Sequence, residues 1–217
     1  MTSRAIPKFD KNNDLRRISS ALRRLATAAS GNLGSDCYIH AAIAQEILNR
    51  LGVSSKLVAG YAAWRVGNGD GDVILHAPMQ NMPSQPGSVA YHMWLEVGKH
   101  LIDFTTYQLW HKAIQMDKLD GGTTTITWCP DYLAVPKKSV SPLRSVIQLR
   151  AGMYFYKQDT SIENLILSAA HPLDADDINT AWLLYLNQEL CVFGPNNMHH
   201  DEQFIREDVE WGLRGHD

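Results

Sequence analysis

A chain of 217 residues, 45% of them hydrophobic and 20% charged, has the balance of an ordinary soluble protein with room for one sizeable core. Its formal net charge of -3 argues against a nucleic-acid partner, which would favour a basic surface. No apolar run reaches the ~18 residues of a membrane span, and residues 1–14 lack the apolar core of a signal peptide, so we expect a cytoplasmic protein with no membrane partner.

Two helices are predicted in the first quarter of the chain. Residues 15–29 carry apolar side chains at helical spacing with arginines between them, which is typical of an amphipathic helix. These arginines are interpreted as a solvated face, with an anionic partner as the alternative. A second helix is predicted to begin near Ser35 and Asp36, which are both good N-cap residues, and to end at Gly52.

A block of strands is predicted to follow. The segments rich in β-forming residues are 56–64, 73–76, 89–97, 101–104, 123–128 and 144–156. The third and fourth of these are joined through Gly98 and Lys99, which predicts a hairpin. Residues 65–72 are predicted to form a turn, and residues 77–88, which contain three prolines, a loop.

Helices are predicted again in the second half of the chain. They cover residues 106–119, 161–170, 175–190 and 201–211. This order of elements predicts a single α+β domain over residues 1–217. We expect its core over about 31–157, with an N-terminal helix over 15–29 and a C-terminal helical part over 158–217.

Cys37 is the residue that suggests chemistry, because it falls in the first turn of the second predicted helix. The N–H groups and the dipole of a helix start favour negative charge, so a thiolate is stabilised there. The same N–H groups can donate to an oxyanion after attack on a carbonyl. The other cysteines, Cys129 and Cys191, lack an adjacent predicted helix start and a His-Asp pair, so they are interpreted as structural. Three widely spaced cysteines form a poor disulfide framework, which suits a reducing compartment.

A base and its orienting partner are predicted in the hairpin. A cysteine nucleophile needs a base beside it, and the base needs a partner that holds it. Pairing about Gly98 and Lys99 brings His92 and Asp103 to adjacent or nearly adjacent positions, within reach of a hydrogen bond. The three residues predict a Cys-His-Asp triad; for Cys37 alone, a buried structural thiol is the alternative.

The order of these residues resembles the transglutaminase-like branch of the papain-like cysteine enzymes. The matching segments are Gly34-Ser35-Asp36-Cys37, Leu51-Gly52-Val53, Val58-Ala59-Gly60-Tyr61, His92-Met93-Trp94-Leu95-Glu96-Val97 and Ile102-Asp103-Phe104-Thr105. The resemblance covers residues 31–107. It implies an α+β fold with a papain/transglutaminase-like core, in which the nucleophile helix packs on an antiparallel sheet and extra C-terminal helices follow.

The resemblance also implies a function. It indicates a thiol-dependent hydrolase or acyltransferase that attacks an amide or acyl carbonyl through a thioester intermediate. Water as the acceptor gives a cysteine peptidase or amidase, and an amine gives a transglutaminase-type acyltransferase. The substrate is then a peptide, a protein or a small amide or acyl compound, and no cofactor is required. The alternative is a catalytically silent ligand- or protein-binding domain that kept the fold.

Four further residues are candidates for the site. Asn32 resembles the polar oxyanion donor upstream of the nucleophile in papain-like enzymes, with a turn residue at the end of the first helix as the alternative. Gln108 is a second candidate for the same role. Tyr61 and Trp94 are candidates for the pocket wall or for the core.

A metal site is the remaining alternative at Cys37. Cys37 and His40 form a C-x-x-H pair, which is half of a common zinc pattern. A zinc site needs three or four converging ligands, and no second pair in the chain has metal-like spacing. We therefore predict no metal site.

Overall fold

The computed structural model describes residues 9–29, 37–77, 89–148, 150–170 and 172–195, together with the backbone of 213–215. The helices and strands, in chain order, are α1 (Lys11–Ala28), α2 (Cys37–Arg50), β1 (Lys56–Arg65), β2 (Val73–His76), β3 (His92–Val97), β4 (His100–Asp103), α3 (Leu109–Asp120), β5 (Leu133–Pro136), α4 (Leu143–Gln148), β6 (Tyr154–Gln158), α5 (Thr160–Ala169), α6 (Ala175–Leu186), β7 (Leu190–Val192) and β8 (Leu213–Gly215). The protein is therefore a mixed α+β protein, as the sequence predicts. No helix of the described residues is long and apolar enough to cross a bilayer.

The chain divides into two units. The first unit consists of residues 1–55 and 172–217, and the second of residues 56–171. The second unit is thus one continuous stretch of chain between the two parts of the first. The predicted loop over 77–88, apart from Ala77, and the predicted helix over 201–211 lie outside the described residues.

In the first unit, two of the α1 arginines that the sequence analysis interprets as a solvated face bind α6, whereas Arg16 is exposed. Arg17 donates to the carbonyl of Tyr185 at 2.8 Å, and Arg24 donates to that of Leu184 at 2.7 Å. The last carbonyls of a helix have no partner within the helix, and positive charge is favoured there. These two side chains therefore cap the end of α6, a role that the period of α1 alone could not reveal.

The helix α2 has the bounds that its sequence predicts. It begins at Cys37 and is followed by Gly52 in the left-handed region, with φ of 73°. The N–H of Val53 donates to the carbonyl of Leu48 at 2.9 Å, and that of Gly52 donates to Asn49 at 3.0 Å. This pair of bonds is a Schellman motif, which satisfies carbonyls at the helix end.

In the second unit, β1 is the central strand of an antiparallel sheet. Among the described residues the strand order is β2-β1-β3-β4-β5, and β6 also pairs with β1. In the hairpin, Leu95 pairs with Ile102 and Val97 with His100, which is the register predicted for a turn at Gly98 and Lys99. The hairpin prediction is confirmed, although β3 begins at His92 rather than at residue 89.

Two predicted strands are wrong. Residues 123–128 form no strand. The backbone N–H groups of Thr127 and Trp128 instead both donate to the carbonyl of Val66, which directly follows β1. Residues 144–156 contain α4, a turn at Gly152 with φ of 88°, and the start of β6. Both segments have β-forming residues, but strand formation depends on a partner edge, which composition does not specify.

Candidate active site

One face of the sheet in the second unit brings His92 and Asp103 together. Gly60 of β1 pairs with His92 of β3, and Leu95 pairs with Ile102 of β4. That register sets Asp103 diagonally across from His92, on the same face because side chains alternate along a strand. Nε2 of His92 lies 2.8 Å from Oδ2 of Asp103. The predicted imidazole–carboxylate contact is therefore present, while the catalytic role of the two residues stays a prediction.

The carboxylate of Asp103 accepts four hydrogen bonds from described residues. Oδ2 accepts from Nε2 of His92 at 2.8 Å and from the hydroxyl of Tyr156 at 2.6 Å. Oδ1 accepts from the N–H of Thr105 at 2.8 Å and from its hydroxyl at 2.7 Å. A carboxylate that only accepts is ionised, so Nε2 of His92 carries the hydrogen of this contact.

The electrostatics of Asp103 agree with this assignment. Asp103 is only 1% exposed, and burial by itself raises the pKa of a carboxyl group. The charge of His92 and the hydrogen bonds from His92, Tyr156 and Thr105 outweigh burial and hold the pKa of Asp103 well below its usual range. The group therefore stays negatively charged at any pH at which the protein would work.

Aromatic rings enclose His92, which is 0% exposed. The ring of Trp64 meets it edge-on with centroids 4.7 Å apart, and that of Trp94 is stacked at 6.4 Å. The ring of Tyr156 lies at 6.1 Å. An imidazole packed in this way has little rotational freedom, so its hydrogen bond to Asp103 fixes both its orientation and its tautomer.

Sequence analysis missed His76, a second histidine on this face. Its ring centroid lies 5.4 Å from that of His92, and its Nε2 lies 2.8 Å from Nζ of Lys112. Since an ammonium group only donates, Nε2 of His76 accepts. Burial, then the charges of Lys112 and His92, hold the pKa of His76 well below its usual value, so His76 is neutral.

Sequence analysis also missed Tyr156. This residue lies on β6, opposite Ala62, and its hydroxyl accepts a hydrogen bond from Nε1 of Trp64 at 2.7 Å. Burial and the negative charge of Asp103 raise the pKa of Tyr156 well above its usual value. No local signal identifies it, because only the pairing of β6 with β1 brings residue 156 near residue 103.

Three other predicted residues lie on separate elements: Cys37 on α2, Tyr61 on β1 and Trp94 on β3. Cys37 is the first residue of α2 and is 6% exposed. Trp94 shares a face with His92, whereas Tyr61 is offset by one from Gly60 and so lies on the opposite face. The structure therefore does not bring Tyr61 together with His92.

Of the two oxyanion candidates, Gln108 is among the described residues. Asn32 lies outside the described residues. Gln108 ends a short 3-10 helix, Thr106–Gln108, where it is fully buried and its Nε2 donates to the hydroxyl of Tyr107 at 3.0 Å. Among the described residues, no group of three His, Cys, Asp or Glu side chains is placed to hold a metal ion.

Fold and site together define an α+β protein whose antiparallel sheet carries a buried, hydrogen-bonded His-Asp pair. The chain belongs to the family described as Protein of unknown function (DUF2026), whose family model matches residues 11–122. It is similar to a solved structure described as the crystal structure of a genomics target, with a TM-score of 0.58, 17% identity, and coverage of 85% of this chain and 83% of that chain. That likeness shows the fold alone. No curated protein matches the chain.

Proposed function

We propose that this protein is a thiol-dependent hydrolase or acyltransferase with a papain/transglutaminase-like core, in which Cys37 is the nucleophile. His92 is the base and Asp103 orients it. The observation that carries the proposal is the contact of 2.8 Å between His92 and Asp103, both of whose side chains are 0% exposed. A buried imidazole held by an ionised carboxylate is the arrangement that general-base catalysis by histidine uses.

The tautomer of His92 sets the direction of proton transfer. Nε2 carries the hydrogen bonded to Asp103, so Nδ1 is the atom that takes the proton of the Cys37 thiol. The thiolate attacks the carbonyl carbon, and the N–H groups at the start of α2 donate to the oxyanion. Collapse breaks the bond to the leaving group, which receives the proton from Nδ1, and leaves a thioester on Cys37.

Water or an amine then completes the reaction. Nδ1 of His92 takes its proton while its oxygen or nitrogen attacks the thioester carbonyl. The second collapse returns the proton to the sulfur and releases an acid or a new amide. Asp103 stabilises the imidazolium formed in each half-reaction and stays ionised throughout.

The proposal requires the Cys37 thiol to exchange a proton with His92, and site-resolved alkylation tests this. Iodoacetamide is applied to the full chain at pH 5–8, and each cysteine is quantified by peptide mass spectrometry. We expect Cys37 to react at least about tenfold faster at pH 5–6 than a free thiol peptide, because an ion pair keeps it as thiolate. Cys129, whose pKa is raised by burial, is the internal reference.

Two variants distinguish proton exchange with His92 from simple exposure of the Cys37 thiol as the cause of fast alkylation. His92→Gln is expected to remove the acid-side reactivity of Cys37. His100→Gln, a change on the neighbouring strand at the turn end of the hairpin, is expected to leave it intact. Reaction of Cys37 at the free-peptide rate, or no effect of His92→Gln in a folded protein, overturns the proposal.

Turnover is tested with a panel of fluorogenic amide, ester and peptide substrates, with and without an added primary amine. Cys37→Ala should abolish product formation, and Cys129→Ser should retain it. Activity that survives Cys37→Ala contradicts the mechanism. Binding of a panel member without turnover in the native protein would instead favour the silent binding domain.

A further inference from the structure

One oxygen of Asp103 serves two donors that come from different strands. Oδ2 accepts from His92 on β3 and from Tyr156 on β6, and the bond from Tyr156, at 2.6 Å, is the shorter. Each donor withdraws charge from the same atom. The bond from Tyr156 therefore weakens the pull of the carboxylate on the proton of His92.

The direction of the Tyr156 hydroxyl follows from its other partner. Its oxygen lies 2.7 Å from Nε1 of Trp64, and an indole N–H can only donate. The hydroxyl oxygen accepts that bond, and its one hydrogen is directed to Asp103, which can only accept. A chain of hydrogen bonds thus runs from Trp64 through Tyr156 to Asp103, and polarisation along the chain strengthens its last bond.

We propose that Tyr156 is a positioning residue that lowers the proton affinity of His92 by hydrogen-bonding the carboxylate of Asp103. The inference rests on the proposed function only for its catalytic consequence. A thiol enzyme needs a base that takes a proton and then returns it to a leaving amine. If Asp103 stabilised the imidazolium of His92 too strongly, His92 would return the proton to the amine slowly. The hydrogen bond from Tyr156 to Asp103 limits that stabilisation.

The other groups around His92 do not account for this effect. Among the described residues of the second unit, the titratable side chains that contact His92 are Asp103 on β4, His76 on β2 and Tyr156 on β6, and Lys112 on α3 contacts His76. His76 is neutral, and Lys112 contacts His76. A change at Tyr156 alters neither of them directly.

The chain offers a matched control on the same strand. Tyr154 lies two residues before Tyr156, and its hydroxyl contacts that of Ser139 at 3.1 Å. Tyr156→Phe and Tyr154→Phe each remove one hydroxyl and keep the ring. Both are made in the full chain, and the amide NMR spectrum outside β6 verifies the fold.

The readout is the titration midpoint of the His92 ring, followed by NMR of labelled histidine. We expect Tyr156→Phe to raise that midpoint by about half a pH unit, a fraction of the shift that a direct charge partner produces. Tyr154→Phe should leave it unchanged. A midpoint in Tyr156→Phe equal to that of the native protein, or an equal rise in both variants, overturns the inference.

A second measurement decides the matter if Tyr156→Phe fails to fold. Incorporation of 3-fluorotyrosine makes every tyrosine hydroxyl more acidic and a stronger donor. We expect the His92 midpoint to fall in the fluorinated native protein, and an unchanged midpoint overturns the inference. Neither measurement needs turnover, so the inference and the proposed function can fail separately. If both hold, the alkaline limb of the Cys37 alkylation profile moves to higher pH in Tyr156→Phe.

Discussion

The buried carboxylate of Asp103 accepts hydrogen bonds from three separate segments of the chain. His92 reaches it from β3, Tyr156 reaches it from β6, and Thr105 reaches it through both its backbone and its hydroxyl. Hydrogen bonds to a charged group contribute about 1.5–3 kcal/mol each. The carboxylate is therefore held in one position by its neighbours, and it holds His92 in turn.

Lys112 contacts His76, the histidine next to His92, and replacing Lys112 gives a testable prediction for the pKa of His76. Lys112→Met should raise the pKa of His76, because the charge of Lys112 is one cause of its depression. Burial is the larger cause and remains, so the pKa should stay below the usual value. The titration of His76 followed by NMR measures the change.

Lys118→Met is the control, since Lys118 lies on the same helix and is exposed. It should leave the titration of His76 where it is in the native protein. If Lys112→Met also leaves the titration of His76 at its native position, the contact of 2.8 Å between Nζ of Lys112 and the imidazole does not lower the pKa of His76.

The sequence predicts the contact between His92 and Asp103 because the two residues lie close together in the chain. Eleven positions separate His92 from Asp103, and one turn at Gly98 and Lys99 determines their meeting. His76 and Tyr156 reach the same face only because β2 and β6 both pair with β1. Those pairings are long-range choices among several strand edges, and no local period encodes them.

At the scale of elements, Gly60 allows β6 to approach β1 closely. A Cβ atom at residue 60 would lie 2.1 Å from the carbonyl oxygen of Lys157 and 2.7 Å from the nitrogen of Asp159. Both are backbone atoms, so no rotamer change can relieve the overlap. The missing side chain at Gly60 is therefore what permits the strand that carries Tyr156 to pair as it does.

Gly60→Ala should accordingly destabilise the protein and loosen β6. We expect a loss of about 1–3 kcal/mol, as for other overpacked sites, measured by urea unfolding. Amide hydrogen exchange over residues 154–158 should become faster. Because β6 holds Tyr156, the titration of His92 should move as it does in Tyr156→Phe.

Gly98→Ala provides the comparison for that change. Residue 98 has φ of 56° and no atom within 4 Å of an added Cβ, so the substitution costs backbone strain without a clash. Exchange over residues 154–158 should then stay at the native rate. Equal loosening of β6 by both substitutions would contradict the role assigned to Gly60.

Elements with strong end signals were predicted better than those without them. Gly52 ends α2, and Asp174 accepts from the N–H of Asp176 at the start of α6, although α6 ends at Leu186 rather than at the predicted residue 190. In segment 144–156, the β-forming residues predict one long strand where the structure has α4 and the start of β6. Four-residue β5 (Leu133–Pro136) was missed because so short a strand is defined by its partner, β4, rather than by its own sequence.

For the whole molecule, the buried site predicts that stability declines on acidification. The pKa of His76 is held well below its usual value of 6.5. Below pH 6.5 the unfolded chain therefore binds a proton at His76 that the folded protein does not bind. Asp103 adds a second loss below its usual pKa of 3.8. Both groups have lowered pKa values in the folded state, so both contributions are present at high pH and disappear as pH falls.

Urea unfolding between pH 7.5 and 5 tests the first of these two contributions. The midpoint should fall across this range in the native protein. The fall should be smaller in His76→Gln, which has no group to titrate there. A His76→Gln variant with the same slope as the native protein would show that the loss has another source.

The division of the chain into residues 56–171 and the two parts around them has a consequence for the order in which the protein is made. Arg17 and Arg24 on α1 bind carbonyls of residues 184–190, which leave the ribosome well over a hundred residues after α1. The sheet with its His-Asp pair is complete before then, while the helix that begins at Cys37 still lacks α6, against which Arg50 places its guanidinium over Trp182. A nascent chain would thus form the His-Asp pair of the second unit before the helix that carries Cys37, the proposed nucleophile, gains its contact with α6.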